Sequence, residues 1–251
     1  MTRVLPPINF HSSQLIRSLA ELDLLEDAEP TSDFADELGR WMHFTDAITL
    51  SSVLDSGMAK MVAQSAVLRE AASARLVAQF EQVRASMVNS ITKSCAPTGG
   101  NTHIKLPLVL DQEVSYAPYR RFYEAHQRDM ELSVQPLRVN LRDALAKASP
   151  RLRKLADLDV VMDKFLRERE AHLLARVPVL LKKRFDAQYA THQEQLAASG
   201  QPDNPAAWMQ PGAWLARFCQ NLQTLLLAEA ELRLQPSAGL LEAFNQQENY
   251  E

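Results

Sequence analysis

Apolar residues recur every three or four positions over most of the chain, and polar residues fill the places between them. That period belongs to an amphipathic α-helix, because side chains three and four apart share a face. Glycine and proline interrupt the pattern at a few places only, with seven and thirteen residues in all. The pattern predicts an all-α fold, an elongated multi-helix bundle of about six to eight helices with long kinked helical hairpins.

Ser12 or Ser13 is placed to cap a first helix carrying Leu15, Ile16, Leu19 and Leu22. The acidic run from Glu26 to Glu29 and Pro30 ends it. Ser32 caps a second helix, with Asp33, Asp36 and Glu37 at its positive end. Phe34, Leu38, Trp41 and Ile48 fall on one broad face there. Thr45 and Asp46 are candidates for capping a fresh start within it, since both compete with a helix interior. Past Gly57 the stripe is most regular: Leu68, Ala72, Leu76, Phe80, Val83, Met87 and Ile91, on a helix over about 58–93.

Pro97, Gly99, Gly100 and Pro107 mark residues 95–117 as a linker between an N-terminal helical region, 1–94, and a C-terminal one, 118–251. The sequence is compatible with the two regions sharing one core. A helix is expected over 118–148, with Pro118 at its first position and Pro136 kinking or splitting it. Its stripe is Met130, Val134, Leu137, Leu141 and Leu145. Pro150 opens the next helix, Pro178 interrupts it, and it resumes to about 198. These arms are expected to pair as a long antiparallel hairpin. After a break from Gly200 to Pro205, the last major helix carries Leu215, Phe218, Leu222, Leu225, Leu226 and Leu232 and ends at Pro236. A short helix from Leu240 to Phe244 follows.

Charge narrows the function classes. The net charge is −4, but residues 1–94 and 200–251 are each −4, residues 95–149 are +1 and residues 150–199 are +3. The acidic ends and mildly basic middle exclude a global nucleic-acid footprint. Cys95 and Cys219 are the only cysteines and form no CxxC, which points to a reduced setting. The opening MTRVLPPINF lacks the apolar segment of a signal peptide, so the expected location is the cytoplasm.

No catalytic or metal signature interrupts the helices. The residues three before His126, His172 and His192 are Tyr123, Arg169 and Tyr189, so the Glu-x-x-His pairs of di-iron bundles are absent. HExxH, GxSxG, the phosphate-binding loop and GxGxxG are absent too, and no metal or cofactor is expected. Glu168 and His172 sit four apart, where an exposed contact along one helix outweighs metal ligation. Cys219 beside Phe218 reads as a buried, inert thiol, whereas Cys95 lies at a helix end where exposure is open. An enzymatic reading requires a deep pocket where His43, Asp46 and another acid converge.

Three groups remain as binding candidates. Trp208 and Trp214 flank Pro211 and Gly212, either sealing one end of the bundle or forming a partner hot spot. Tyr116 to Tyr123 interleaves aromatics with Arg120 and Arg121, and Lys182, Lys183 and Arg184 form a second basic cluster. These five residues are the candidates for an alternative, nucleic-acid-binding role, set against packed aromatics with wetted arginines.

Two blocks resemble a known family. In residues 32–54 the matching positions are Phe34, Ala35, Leu38, Trp41, Thr45, Asp46, Ala47, Ile48 and Leu50. In residues 214–244 they are Leu227, Ala228, Glu229, Arg233, Leu234, Pro236, Gly239, Leu240 and Leu241. Together they resemble the proteobacterial family called domain of unknown function 3348. The resemblance implies no activity and no catalytic residues. It implies neighbours resembling proton-channel membrane proteins and peptidoglycan-binding outer-membrane proteins, hence a cytosolic accessory of an envelope-spanning assembly. The leading expectation is a non-enzymatic helical adaptor or scaffold that binds protein partners, or a second copy of itself, through helix faces.

Overall fold

A computed structural model describes residues 13–24, 41–55, 66–96, 103–107, 114–200 and 202–246. The chain is all-α, and no strand occurs among the described residues. In chain order the helices are α1 (Gln14–Glu21), α2 (Phe44–Asp55), α3 (Ala66–Cys95), α4 (Ala117–Ala148), α5 (Pro150–Leu174), α6 (Val177–Ser199) and α7 (Trp214–Gln246), with a 3-10 turn at Pro205–Ala207 before α7. The expected cap at Ser32 and the part of the second helix before Trp41 lie outside the described residues, and Trp41 is half-buried. So does the expected start of α3 near residue 58.

The helix ends show where local chemistry wins. Ser13 stands at the N-cap of α1, but its hydroxyl makes no cap bond. At the other end Asp23 adopts φ 60°, Leu24 N–H donates to the Leu19 carbonyl at 3.0 Å and Asp23 N–H to Ala20 at 2.9 Å. This is a Schellman stop, closed by buried Leu24 near buried Leu19. It ends α1 ahead of the acidic run. The fresh start near Thr45 is real, but the first helical bonds go to the His43 carbonyl, from Asp46 and Ala47 N–H at 3.0 Å each. Asp46 then lies in the first turn, where its charge suits the helix dipole. Ser149 caps α5 through its side chain, accepting from Leu152 N–H at 3.2 Å, with Pro150 opening the helix.

Pro236 and Pro178 behave differently from expectation. Pro136 neither splits α4 nor ends it, and Pro236 does not end α7, which runs on to Gln246 and absorbs the expected short helix. A mid-helix proline costs about 3 kcal/mol. Past Pro136 the buried stripe continues with Leu137, Leu141 and Leu145, and past Pro236 with Leu240, Leu241 and Phe244. Each such side chain returns about 1.5–3 kcal/mol on burial, so packing overrides the break. The interruption expected at Pro178 falls three residues earlier, in the turn after Leu174, and Pro178 lies in the first turn of α6.

The chain divides into two compact units, each assembled from three stretches. Unit 1 comprises residues 1–26, 88–128 and 178–233, and unit 2 comprises residues 27–87, 129–177 and 234–251. Each draws on residues before and after the expected linker. In unit 1 Ser94 Oγ lies 2.9 Å from His126 Nε2, and in unit 2 Ser73 Oγ donates to Asn245 Oδ1 at 2.8 Å.

The unit 1 core is a set of aromatic rings beside a buried carboxylate. Phe218 is fully buried and meets Tyr119, Phe185 and Tyr116 at centroid distances of 5.5, 5.1 and 6.2 Å. Tyr116 also donates its hydroxyl to the Pro178 carbonyl at 2.5 Å. Glu229 is 0% exposed. It accepts from Tyr123 Oη at 2.9 Å and from Gln127 Nε2 at 3.1 Å, and it pairs with Arg233 at 2.8 Å. Burial, then the Glu229 charge, holds the Tyr123 hydroxyl well above the usual tyrosine range, so it remains a donor.

In unit 2, α4 and α5 run antiparallel across Ser149, whereas the arms expected to pair, on either side of Pro178, belong to different units. Arg138 on α4 reaches Asp159 at 2.6 Å and Asp163 at 2.9 Å, and Arg142 reaches Asp159 at 2.6 Å and Asp163 at 3.0 Å. Arg167, one turn beyond Asp163, adds a 2.6 Å contact. Burial pushes the Asp163 carboxyl up, but the Arg167 and Arg142 hydrogen bonds and the neighbouring positive charge outweigh it and hold the group below the ordinary range. A carboxyl lowered on folding stabilises the fold above its unfolded value of about 4, and that contribution is lost as pH falls further. The melting temperature of the protein is therefore expected to drop between pH 5 and pH 3, as estimated from that reference value. Asp163→Asn is expected to melt lower at pH 7 and to show a flatter acid profile. An identical profile in the variant would remove Asp163 as a source of acid sensitivity.

Candidate functional site

Helix α2 packs on α5 within unit 2. It is held at both ends. The Lys154 ammonium donates to the Leu54 carbonyl, and an Arg169 guanidinium nitrogen donates to the Trp41 carbonyl at 3.1 Å. The same guanidinium sits 5.4 Å from the centre of the Trp41 ring, a cation–π contact. Lys154 and Arg169 thus pin opposite ends of the segment, and α2 runs antiparallel to α5.

Asp46, Leu50 and Val53 are half-buried and share one side of α2. Around the rest of the helix Phe44 is 81%, Ile48 53% and Leu54 50% exposed, with exposed Asp55 on the same side as Ile48. Ala47 and Ser51 lie between them, also exposed. Ile48 was expected on a core face with Trp41. The break at Met42 and His43 resets the helical phase, and Ile48 follows the new helix outward. Among the described large apolar side chains that stand exposed, only Val179 belongs to unit 1. Sequence reading missed this face. Its signal was the 3-4-3 spacing of Phe44, Ala47, Ser51 and Leu54 once the helix is started at Phe44.

A cleft of about 570 Å³ opens beside the first turn of α2. Lys164, Phe165, Glu168, Arg169, His172 and Leu173 line it from one face of α5. Trp41, His43 and Asp46 line the other side. His43, Asp46 and a further acid, Glu168, therefore do border one cavity. The side chains of His43, Asp46, Lys164, Glu168 and His172 make no hydrogen bond or ion pair with any described residue. No three His, Cys, Asp or Glu among the described residues could hold a metal ion. A general acid–base pair works at about 2.6–3.2 Å or through one water. The cleft offers charged and aromatic groups for binding.

The tryptophan candidates stand elsewhere. Trp208 and Trp214 are 4% and 2% exposed, with rings 5.3 Å apart, in unit 1. Trp208 Nε1 donates to Asp203 at 2.8 Å, and Asp203 also pairs with His192 at 3.0 Å. Trp214 packs on Phe185 and Tyr189. The Trp208 carbonyl accepts from Ala216 N–H at 3.1 Å, so the WMQPGAW segment folds over the first turn of α7, with Gly212 at φ 83° turning the chain. Both indoles are spent on this packing and offer little surface.

Of the basic candidates, Arg120 pairs with Glu124 at 2.7 Å and Lys182 with Asp186 at 2.5 Å. Arg121 and Lys183 are exposed, and Arg184 is half-buried. Tyr116, Tyr119, Phe122 and Tyr123 are all buried and unavailable as base-stacking platforms. Neither cysteine is an activated thiol. Burial raises Cys219 to about 12 and half-buried Cys95 to about 11.

The profile of a family described as protein of unknown function (DUF3348) matches residues 1–246. No curated protein and no solved structure matches the chain. No described helix is long and apolar enough to cross a membrane.

Proposed function

This chain belongs to the DUF3348 family, and we propose that it is a non-enzymatic helical adaptor that binds protein partners and works in the cytoplasm. The observation that carries this reading is the outer side of α2. A helix clamped at both ends, with Phe44, Ile48 and Leu54 left outward, has the form of a preorganised helix-face contact. In the neighbouring cleft no two acid or base side chains are linked by a hydrogen bond, which favours binding over catalysis. Two free cysteines suit a reducing compartment. The nucleic-acid alternative has less support, because Arg120 and Lys182 are neutralised by acids on their own helices. An envelope-spanning assembly met from its cytosolic side is the partner class to test first.

The test is affinity capture from native lysate with the wild-type chain and with Ile48→Glu, each checked by circular dichroism for unchanged helicity. A defined partner held by the wild type and released by the variant is the expected result. Capture of nothing by either chain, in a protein that also remains monomeric, would overturn the reading.

A further inference from the structure

The outer face of α2 has a symmetry of its own. Phe44, Ala47, Ser51 and Leu54 are spaced three, four and three apart, and the same spacing is read from either end. This is a piece of about three turns of the seam that pairs helices in coiled coils. Ile48 flanks the seam, and none of the five residues is charged.

We infer that α2 pairs with α2 of a second copy of this chain, antiparallel, about a two-fold axis near Ile48. The inference rests on the protein-binding reading above and names the partner. In that arrangement Phe44 packs on Leu54 of the second copy at both ends. Ala47 meets Ser51 of the second copy near the middle, where small side chains let the backbones approach. A large residue against a smaller one at each end keeps the helix axes evenly spaced. A parallel pair would set Phe44 against Phe44 and wedge one end open. Charge selects the same direction. Exposed Asp55, at the C-terminal end of α2, falls beside the positive N-terminal end of the opposing helix only when the two run in opposite directions. The two-fold contact closes on itself, so it yields a dimer and no fibre.

Size sets the strength. Helix α2 has 12 residues, a rod of about 18 Å. Its footprint is smaller than the roughly 800 Å² per partner of a standard stable interface. The dimer is therefore weak and reversible, visible at tens to hundreds of micromolar and lost on dilution, in the range of about 5–500 μM.

Sedimentation equilibrium across that range tests the inference with the full-length chain. The wild type is expected to pass from monomer to dimer. Ile48→Glu is expected to stay monomeric with an unchanged far-ultraviolet spectrum, and Val179→Glu, an exposed apolar position in unit 1, is expected to dimerise like the wild type. Under mild oxidation the double variant Ala47→Cys with Ser51→Cys is expected to form a disulfide-linked dimer, and Ala47→Cys alone is not. A monomer at every concentration, a dimer indifferent to Ile48→Glu, or efficient cross-linking of Ala47→Cys alone would each overturn it. If the chain is always monomeric yet a different protein is captured by the wild type and lost with Ile48→Glu, only the second-copy inference fails and the adaptor reading stands.

Discussion

Glu229→Ala is expected to destabilise unit 1 by about 3–5 kcal/mol, the usual result of removing one partner from a buried ion pair. The Glu229 carboxylate has no contact with water and serves three groups at once. Removing it leaves the Arg233 charge without its carboxylate and takes away the acceptor of the Tyr123 hydroxyl and of the Gln127 amide. Glu229→Gln keeps the shape and part of the hydrogen bonding, so it is expected to cost less, about 1–3 kcal/mol. Urea unfolding followed by indole fluorescence in a Trp41→Phe background reads unit 1, because Trp208 and Trp214 lie in it and Trp41 lies in unit 2. A loss below about 1 kcal/mol for the alanine variant would mean that the network contributes little net stability.

Phe218→Ala is expected to cost about as much, 3–5 kcal/mol, for a different reason. Its ring touches three other rings and is fully buried. Truncation removes the edge-to-face contacts and leaves a void bounded by stiff aromatics that cannot collapse into it. Phe218→Leu refills most of the volume and is expected to cost about 1–2 kcal/mol. Near-ultraviolet circular dichroism should weaken strongly in the alanine variant and little in the leucine one. Equal loss in both would point to the ring contacts, and not the void, as the dominant contribution.

Much of the architecture could be read from spacing alone. The stripe Met130, Val134, Leu137, Leu141 and Leu145 is buried throughout, because steps of four and three residues fix one face of a continuous helix. In α3, Leu76, Met87 and Ile91 of the predicted stripe are buried, yet Leu68 is exposed. Periodicity identifies a face, and only the neighbouring elements decide how far along the helix that face is covered. Pro236 misled because a proline's local penalty can be read from sequence, whereas the burial of Leu240 and Phe244 that offsets it cannot. Glu229 and Arg233 were noticed only as part of a resemblance. Their role depends on Tyr123 and Gln127, about a hundred residues away in the chain. The outer side of α2 was hidden because Ile48 was set on one face with Trp41, although a fresh helix start near Thr45 had been read between them. Once His43 is recognised as the starting point, the same residues place Phe44 and Ile48 on the far side from Leu50 and Val53.

The arginine–aspartate ladder between α4 and α5 has a consequence for how the chain finds its fold. Its rungs link residues 17 to 25 positions apart, across a single capped turn. Closing so short a loop costs little entropy, so this hairpin can form early, before contacts distant in sequence. Leucine stripes by themselves would tolerate a slide of one helical turn with little change in burial. The ladder would not: in a shifted alignment two carboxylates would be stranded against an apolar seam. The charges thus work chiefly as a register lock, rejecting mis-threaded hairpins at the stage when the rest of the molecule is still unformed.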